Sequence, residues 1–537
     1  MRYELTNVIS MAEENCTNCH QCIAVCPSKF CNNGSGNTVK LNQNLCIGCG
    51  HCVAACVASH NGLETKAARH YIDDADALVN SLKKQPIAAL IAPSAQSNFD
   101  LPRLITALKT LGFTAVYDVA LGAEITVACY HQLLEEQLLQ PPLIAQPCPA
   151  IVKYIELNHP GLLPHLAPIG SPVHNIAVNI KASHPEYSMA FISPCLAKSR
   201  EFKDSGLIDY NVTFKSIDNI LQQQNICLAD LEPGTFNNEI LAGIAASFSS
   251  PGGLKESYLH HYPTTPGFIT RVSGKIVYDK YLADLETAII NKSPHLPLIV
   301  DILNCENGCN MGPGCINHNH SIDEVEIAIA VRAEQNLQQT NADNNLSEFL
   351  NHLVLDSYRY DYYRDLSSNQ HINPPSGLDL SNIYGAMLKT GEKDYRNCGA
   401  CGYNSCYRMA IAIFNGLNKP QNCHLYQEKT LRNDQERFQT IAREIARAFN
   451  EVQGGVAELS SNAGVTLNNF NEVISNIGSF RAISTEMADK AEDLTPIVQT
   501  ISSIAKTLQE QLYFLQQMID TIPTPIFFRD TDGVFQG

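Results

Sequence analysis

No run of about 18 consecutive apolar residues, the length a helix needs to cross a bilayer, occurs in the sequence, so no membrane span is expected. Positive charge is also scarce. Lys and Arg number 37 against 54 Asp and Glu, for a formal net charge of -17. That balance disfavours nonspecific binding to nucleic acid or to an anionic membrane, since both need a positive surface to neutralise phosphate. Met1 to Asn15 has no apolar stretch followed by a small-residue cleavage site, so no secretory leader is expected and a cytoplasmic location is. Disulfides are then a poor explanation for the 20 cysteines: a reducing compartment keeps thiols free, and closely spaced thiols serve as metal ligands. With 537 residues and 45% hydrophobic content, the chain has room for several domains with sizeable cores.

The most specific local signal lies in residues 1–65. Cys16, Cys19, Cys22 and Cys26, followed by Pro27, form a C-x2-C-x2-C-x3-C-P run. Cys46, Cys49, Cys52 and Cys56 repeat the spacing without the proline. Three thiolates on one tight loop can reach three irons of a cube, while the fourth comes from the following turn. Zinc sites use two well-separated C-x2-C pairs instead. The two runs resemble a bacterial two-cluster ferredoxin, a small α+β domain. That likeness implies one 4Fe-4S cube on Cys16, Cys19, Cys22 and Cys56 and another on Cys46, Cys49, Cys52 and Cys26, because the fourth cysteine of each run serves the other cluster. Cys31 is left over and reads as an ordinary buried thiol.

Residues 80–375 read as α/β. Ile87 to Ile91 and Ala115 to Asp118 look like buried strands, and Leu101 to Leu111 like an amphipathic helix ended by Gly112. Such alternation predicts a parallel sheet covered by helices. Three cysteine motifs follow apolar strands: Pro147, Cys148, Pro149 after Leu143; Ser193, Pro194, Cys195 through Lys198 after Met189 to Ile192; and Cys305 to Cys309 after Leu298 to Leu303. Loops at the carboxyl ends of strands are where α/β folds assemble sites, so four distant cysteines can converge on one cube.

In order and type the three motifs resemble those of the FeFe-hydrogenase catalytic domain. Further matches are Leu111 to Phe113, Gly122 to Glu124, Glu156 with Pro160, Ser171 with Pro172, Glu201, and Pro251 to Gly253 with Glu256. The resemblance implies an H-cluster: a cube on Cys148, Cys195, Cys305 and Cys309, with Cys309 bridging to a diiron subcluster that carries carbonyl, cyanide and azadithiolate ligands. Lys198 would then place an ammonium beside a buried cyanide, a charge-assisted contact; the alternative is a surface lysine. Gly252 and Gly253 would admit close approach of backbone to the cofactor, or form a plain turn before a helix.

Departures from that pattern are as informative. The cysteine relay usually found before the first ligand is Pro147, which carries no exchangeable proton. Ala150 and Ile151 replace a glycine and a tryptophan. Ser193 and Leu303 replace the methionines that usually flank the diiron unit, and Cys129 or Tyr130 stands where an acidic relay is usual. Together these changes resemble the sensory branch of the family. Cys129, Glu124 and Glu135 are candidate substitute relays, set against a plainer reading as a buried thiol and surface carboxylates. Cys227 and Cys315 read as buried thiols.

Residues 385–428 hold Cys398, Cys401, Cys406 and Cys423 in a C-x2-C-x4-C-x16-C pattern, with Gly399 and Gly402 loosening the loop and an apolar helix over Met409 to Leu417. Zinc would fit this spacing; the resemblance is to the 4Fe-4S module of corrinoid iron-sulfur proteins, which implies a third additional cluster. Residues 429–518 carry a helical seam, from Phe438, Ile441 and Ile445 through Leu459 to Ile477 and again from Leu494 to Ile519. Pro496 and the Gly454, Gly455 pair should kink or weaken it. A partner must bury such a seam, through a parallel homodimer or an internal hairpin. Residues 519–537 resemble the start of a PAS domain, too short to complete one, so the chain reads as part of a longer signalling protein.

Three functions are therefore expected to compete. The first is a low-turnover hydrogenase sensing H2 or redox state. The second is a ferredoxin-linked catalytic hydrogenase exchanging H2, protons and electrons. The third is a noncatalytic iron-sulfur protein without the diiron subcluster.

Overall fold

A computed structural model of the chain describes residues 4–343, 345–466 and 470–521. It divides into two compact units, one of Met1–Cys16 and Gln21–Asn373, the other of Thr17–His20 and Pro374–Gly537.

The first unit is built on two parallel sheets. In the larger, Ile87–Ile91 lies between Ala115–Asp118 and Ser188–Ser193, with Tyr210–Thr213 outside the latter. In the smaller, Ile299–Leu303 pairs with Ile269–Ser273 on one side and Leu143–Ile144 on the other. Every residue of Ile87–Ile91 and Ile299–Leu303 is buried, which is why the first reads as a continuous apolar run and the second is interrupted only by the buried Asp301. The expected helix forms over Leu101–Leu111: Asp100 accepts from the Arg103 amide at its start, and Gly112 at φ 113 closes it.

The N-terminal cysteine runs form two loop-and-helix segments bridged by the antiparallel pair Ile9–Met11 with Arg69–Tyr71. Apart from Thr17–His20, which falls in the second unit, they belong to the first unit. Gly48, at φ 76, brings its backbone against Ala197, and an added Cβ would meet the Ala197 Cα at 3.3 Å. Gly50 at φ 79 is tighter, since its Cβ would meet Pro313 at 2.9 Å. Arg200, 2% exposed, donates from its guanidinium to the carbonyls of Thr6 and Cys46, fastening the second cysteine run to the helix Lys198–Ser205.

In the second unit the helix Cys406–Phe414 starts at Ser405, whose hydroxyl accepts from the Arg408 amide. Two long helices follow, His424–Thr466 and Phe470–Thr521. Neither expected weakness interrupts them: Gly454 and Gly455 lie inside the first, and Pro496 inside the second. Phe438, Ile441, Ile445, Val452, Val456 and Leu459 are all exposed, as are Leu494, Val498, Ile501 and Leu508, so neither seam is covered within one chain at these positions. The PAS-like residues from 522 onward lie outside the described residues. No described helix is long and apolar enough to cross a membrane.

Candidate metal centre

Each of the three central cysteine motifs begins where a parallel strand stops. Leu143–Ile144 leads to Cys148 at the start of the helix Pro149–Asn158, Ser188–Ser193 to Cys195, and Ile299–Leu303 to Cys305. The two sheets deliver these ends to one cavity. Cys148, Cys195, Cys305 and Cys309 line it, together with Pro147, Ser193, Lys198 and Leu303. Cys49 of the second N-terminal run lines it as well, which the spacing alone did not reveal.

Burial raises the thiols of Cys148, Cys305 and Cys309, and that of Cys195 to about 11, despite the opposing charge of Lys198 on three of them. Four such thiols gathered in an apolar cavity repel one another once ionised, and metal ligation is the ordinary way to take up that charge. Loop geometry is held by backbone bonds. The Cys195 amide donates to Ser193 Oγ at 3.2 Å, the Cys309 amide to Ser249 O at 2.8 Å, and Asn211 Nδ2 to Cys195 O at 3.0 Å. Gly308, at φ 67, is required here, because an added Cβ would lie 2.3 Å from Ser249 O.

Lys198 is buried, not on the surface. Its ammonium donates to Ser171 Oγ and to Glu201 Oε2, both at 2.6 Å, and the Ser171 hydroxyl donates to Glu201 Oε1. Glu201 thus balances its charge, so burial of the lysine does not by itself demand a cyanide. Three N–H donors against two protein acceptors leave one for a ligand.

Two residues that sequence reasoning passed over face the same cavity. Ser94 and Ser249 each have a buried hydroxyl with no protein partner. Buried polar atoms are rarely left so. Four thiols, an ammonium and two orphaned hydroxyls around one cavity fit a cluster that carries small polar ligands. Ser94 follows the strand Ile87–Ile91 directly, so the strand-end rule that located the cysteines would have found it.

Other expectations need correction. Glu124 is no surface carboxylate: it is fully buried, accepting from the Gly243 and Ala245 amides at 2.8 and 3.0 Å and meeting His261 Nε2 at 2.6 Å. Cys227 is exposed, having been expected buried. Gly252 and Gly253 do not line the cysteine cavity; Gly252, at φ 92, precedes the helix Gly253–His261, which is the plain-turn reading. Cys129 and Cys315 are buried thiols raised to about 12 by desolvation, and Glu135 is exposed near His131. Tyr130 is buried, and its hydroxyl accepts from the Gln146 amide at 3.3 Å, next to Pro147.

In the N-terminal runs Cys26, Cys46, Cys49 and Cys52 act on one another electrostatically. Cys16 packs with Cys56, Cys22 is buried, and Cys19 is half-buried. Amides of Val39, Gly48 and Ala68 point at the sulfurs of Cys16, Cys46 and Cys56 at 3.5, 3.4 and 3.2 Å. Cys31 is buried as expected, with its sulfur 3.6 Å from that of Cys26. A side-chain bridge leads to the central cavity: Asn304 Nδ2 lies 3.4 Å from both His51 Nε2 and Cys305 Sγ. In the second unit Cys398, Cys401, Cys406 and Cys423 line one pocket, with Gly399 at φ 71 and Gly402 at φ 86 turning the loop between them.

Comparison with known families agrees with this layout. The family described as iron only hydrogenase large subunit, C-terminal domain, matches residues 85–313, a 4Fe-4S dicluster domain matches residues 8–58, and an Fe-S cluster family matches residues 396–424. The chain is a FeFe-hydrogenase-like iron-sulfur protein. It is 27% identical over 179 residues to the periplasmic [Fe] hydrogenase large subunit of Nitratidesulfovibrio vulgaris, covering 29% of this chain and 42% of that one. With the NADP-reducing hydrogenase subunit HndD of Solidesulfovibrio fructosivorans it shares 24% identity over 287 residues, 47% of this chain and 43% of that one. It thus spans less than half the length of these relatives. The cytosolic Fe-S cluster assembly factor NAR1 of Yarrowia lipolytica is 38% identical over 65 residues, 12% of this chain and 13% of that one. Among solved structures, [FeFe]-hydrogenase HydA1 of Chlamydomonas reinhardtii aligns at 17% identity and a TM-score of 0.45, over 55% of this chain and all of that one.

Proposed function

We propose that the central cavity of this hydrogenase-like protein holds an H-cluster and that the protein interconverts H2 with protons and electrons slowly, as a sensor of H2 or redox state. One observation carries the reading: the cavity that gathers Cys148, Cys195, Cys305 and Cys309 also presents Lys198 and two orphaned serine hydroxyls, and Pro147 lines it too. Cys148, Cys195, Cys305 and Cys309 would hold the cube, with Cys309 shared with the diiron subcluster. When bound, that subcluster would supply the metal chemistry of H2 cleavage.

The remaining roles belong to this chain's residues. Lys198, oriented by Glu201 and Ser171, offers its third N–H to an anionic ligand. Cys49 lines the cavity wall, so a second N-terminal cube held there would supply an entry or exit for electrons. Pro147 can neither accept nor donate a proton, and Tyr130 has no acidic proton to offer near neutral pH, because burial raises its phenol further. Slow turnover follows from that gap. A signalling role draws on the two long helices with exposed apolar seams, which a second copy of the chain would cover. Twenty free cysteines favour a reducing compartment such as the cytoplasm. A ferredoxin-type electron partner is compatible with the cluster-bearing N-terminal runs.

A second reading, a noncatalytic protein that keeps the cube alone, draws on the NAR1 relative, which is described as a cluster assembly factor. Glu201 leaves it open, since Lys198 is paired without any cyanide.

Turnover of position-147 variants tests the slow-enzyme reading. In matured protein, Pro147→Cys should evolve H2 faster than Pro147→Ala, which controls for release of the backbone. Equal rates in the two, with cofactor content unchanged, would mean that the missing relay is not what limits the reaction.

A further inference from the structure

The strand Arg69–Tyr71 carries Arg69 into the interior of the N-terminal cysteine domain, where it is 2% exposed. A buried guanidinium is costly unless an anion offsets it. Its hydrogen bonds to oxygen go to neutral groups, Asn32 Oδ1 at 2.8 Å and Val39 O at 3.3 Å. Among the described residues no carboxylate forms an ion pair with it. Its two partners lead to sulfurs of both cysteine sets: the Val39 amide points at Cys16 Sγ, 3.5 Å away, and Asn32 Nδ2 donates at 3.3 Å to Cys31 Sγ, which lies 3.6 Å from Cys26 Sγ. The sulfurs of Cys22, Cys31 and Cys52 favour its charge. Cys26 also lies within its field. Lys29, the other buried cation nearby, is tied to the carbonyls of Ile23 and Ala24.

In a two-cluster ferredoxin pattern Cys16 and Cys22 belong to one cube, and Cys26 and Cys52 to the other. A single cation therefore faces ligands of both. We propose that Arg69 is a fixed charge shared by the two N-terminal cubes, a positioning residue that raises both reduction potentials. Reduction adds one negative charge to a cube, and a cation in a low-dielectric interior favours the reduced form over the oxidised one. Because arginine stays charged at all working pH values, the effect is independent of pH. A shift common to both cubes leaves the potential step between them unchanged. The inference rests on the dicluster assignment of residues 8–58 and not on H2 chemistry.

The test is a redox titration followed by electron paramagnetic resonance on the full chain, reconstituted with iron and sulfide, for the wild type, Arg69→Lys and Arg69→Met. The methionine variant should shift both N-terminal cubes to more negative potentials, the lysine variant should restore them towards wild type, and the Cys398 cluster should not move. Loss of both N-terminal cubes in the methionine variant with retention in the lysine variant also supports the proposal, since lysine keeps the charge but not the fork. Wild-type potentials in the methionine variant, a shift confined to one cube, or loss of cubes in both variants would overturn it, the last assigning Arg69 to a structural clamp. A wild-type chain whose iron count and spectrum lack both N-terminal cubes would fail differently, by removing the cluster assignment itself.

Discussion

Asp301 lies on the strand that leads to Cys305, yet it is a carboxyl only 4% exposed, and burial raises it to about 7. The Lys255 amide donates to it at 3.2 Å, Arg271 and Lys255 act to lower it, and Glu256 to raise it. In the unfolded chain the same carboxyl ionises near 4. Between about pH 4 and pH 7 the unfolded state has therefore released a proton that the folded state retains, and stability falls as pH rises through that window. Asp301→Asn removes the ionisable group. Its melting temperature should exceed that of the wild type by more at pH 8 than at pH 5, the difference corresponding to a few kcal/mol. Parallel curves for the two proteins would show that Asp301 does not titrate this way. Residue types were legible from the chain where chemistry was local, as with the cysteine spacings. They were not legible where burial decided the role: Glu124 and Cys227 exchanged their expected environments because a helix face and a loop do not announce which side meets the core.

At the scale of elements, the strands Ile87–Ile91 and Ala115–Asp118 and the helix Leu101–Leu111 could be read directly, since unbroken apolar runs and a 3.6-residue period are strong signals. Interruptions were harder to place. Pro496 removes one backbone donor, but the turns on either side of it propagate, and the Thr500 hydroxyl donates to the Pro496 carbonyl at 2.6 Å. Gly454 and Gly455 lower helix propensity by roughly 1 kcal/mol each relative to alanine, too little to stop a helix of 43 residues. The exposed seam of His424–Thr466, from Phe438 to Leu459, is the surface on which self-association should depend. Deleting residues 430–537 should lower the particle mass measured by light scattering from two chains to one, with the iron of the first unit retained. A shortened chain that remained dimeric, or a full chain already monomeric, would place the interface elsewhere or remove it.

For the whole molecule, order along the chain carried more than any single motif. Cys148, Cys195 and the Cys305–Cys309 loop are far apart in sequence, and parallel sheet topology explains why the three segments meet. What the chain did not disclose are long-range facts: Cys49 on the wall of the central cavity, Arg200 gripping the carbonyl of Cys46, and Glu201 balancing Lys198. Each depends on how one segment is seated against another, which periodicity does not encode. The central claim is that this cavity takes a diiron subcluster as well as a cube. Infrared spectroscopy of protein produced with the hydrogenase maturation machinery tests it most directly, because metal-bound carbonyl and cyanide absorb where protein does not. Carbonyl and cyanide bands that disappear in Cys309→Ser, with the N-terminal cubes kept, are the predicted result. Matured protein that contains its cubes but shows no such bands would contradict the claim and leave the noncatalytic reading.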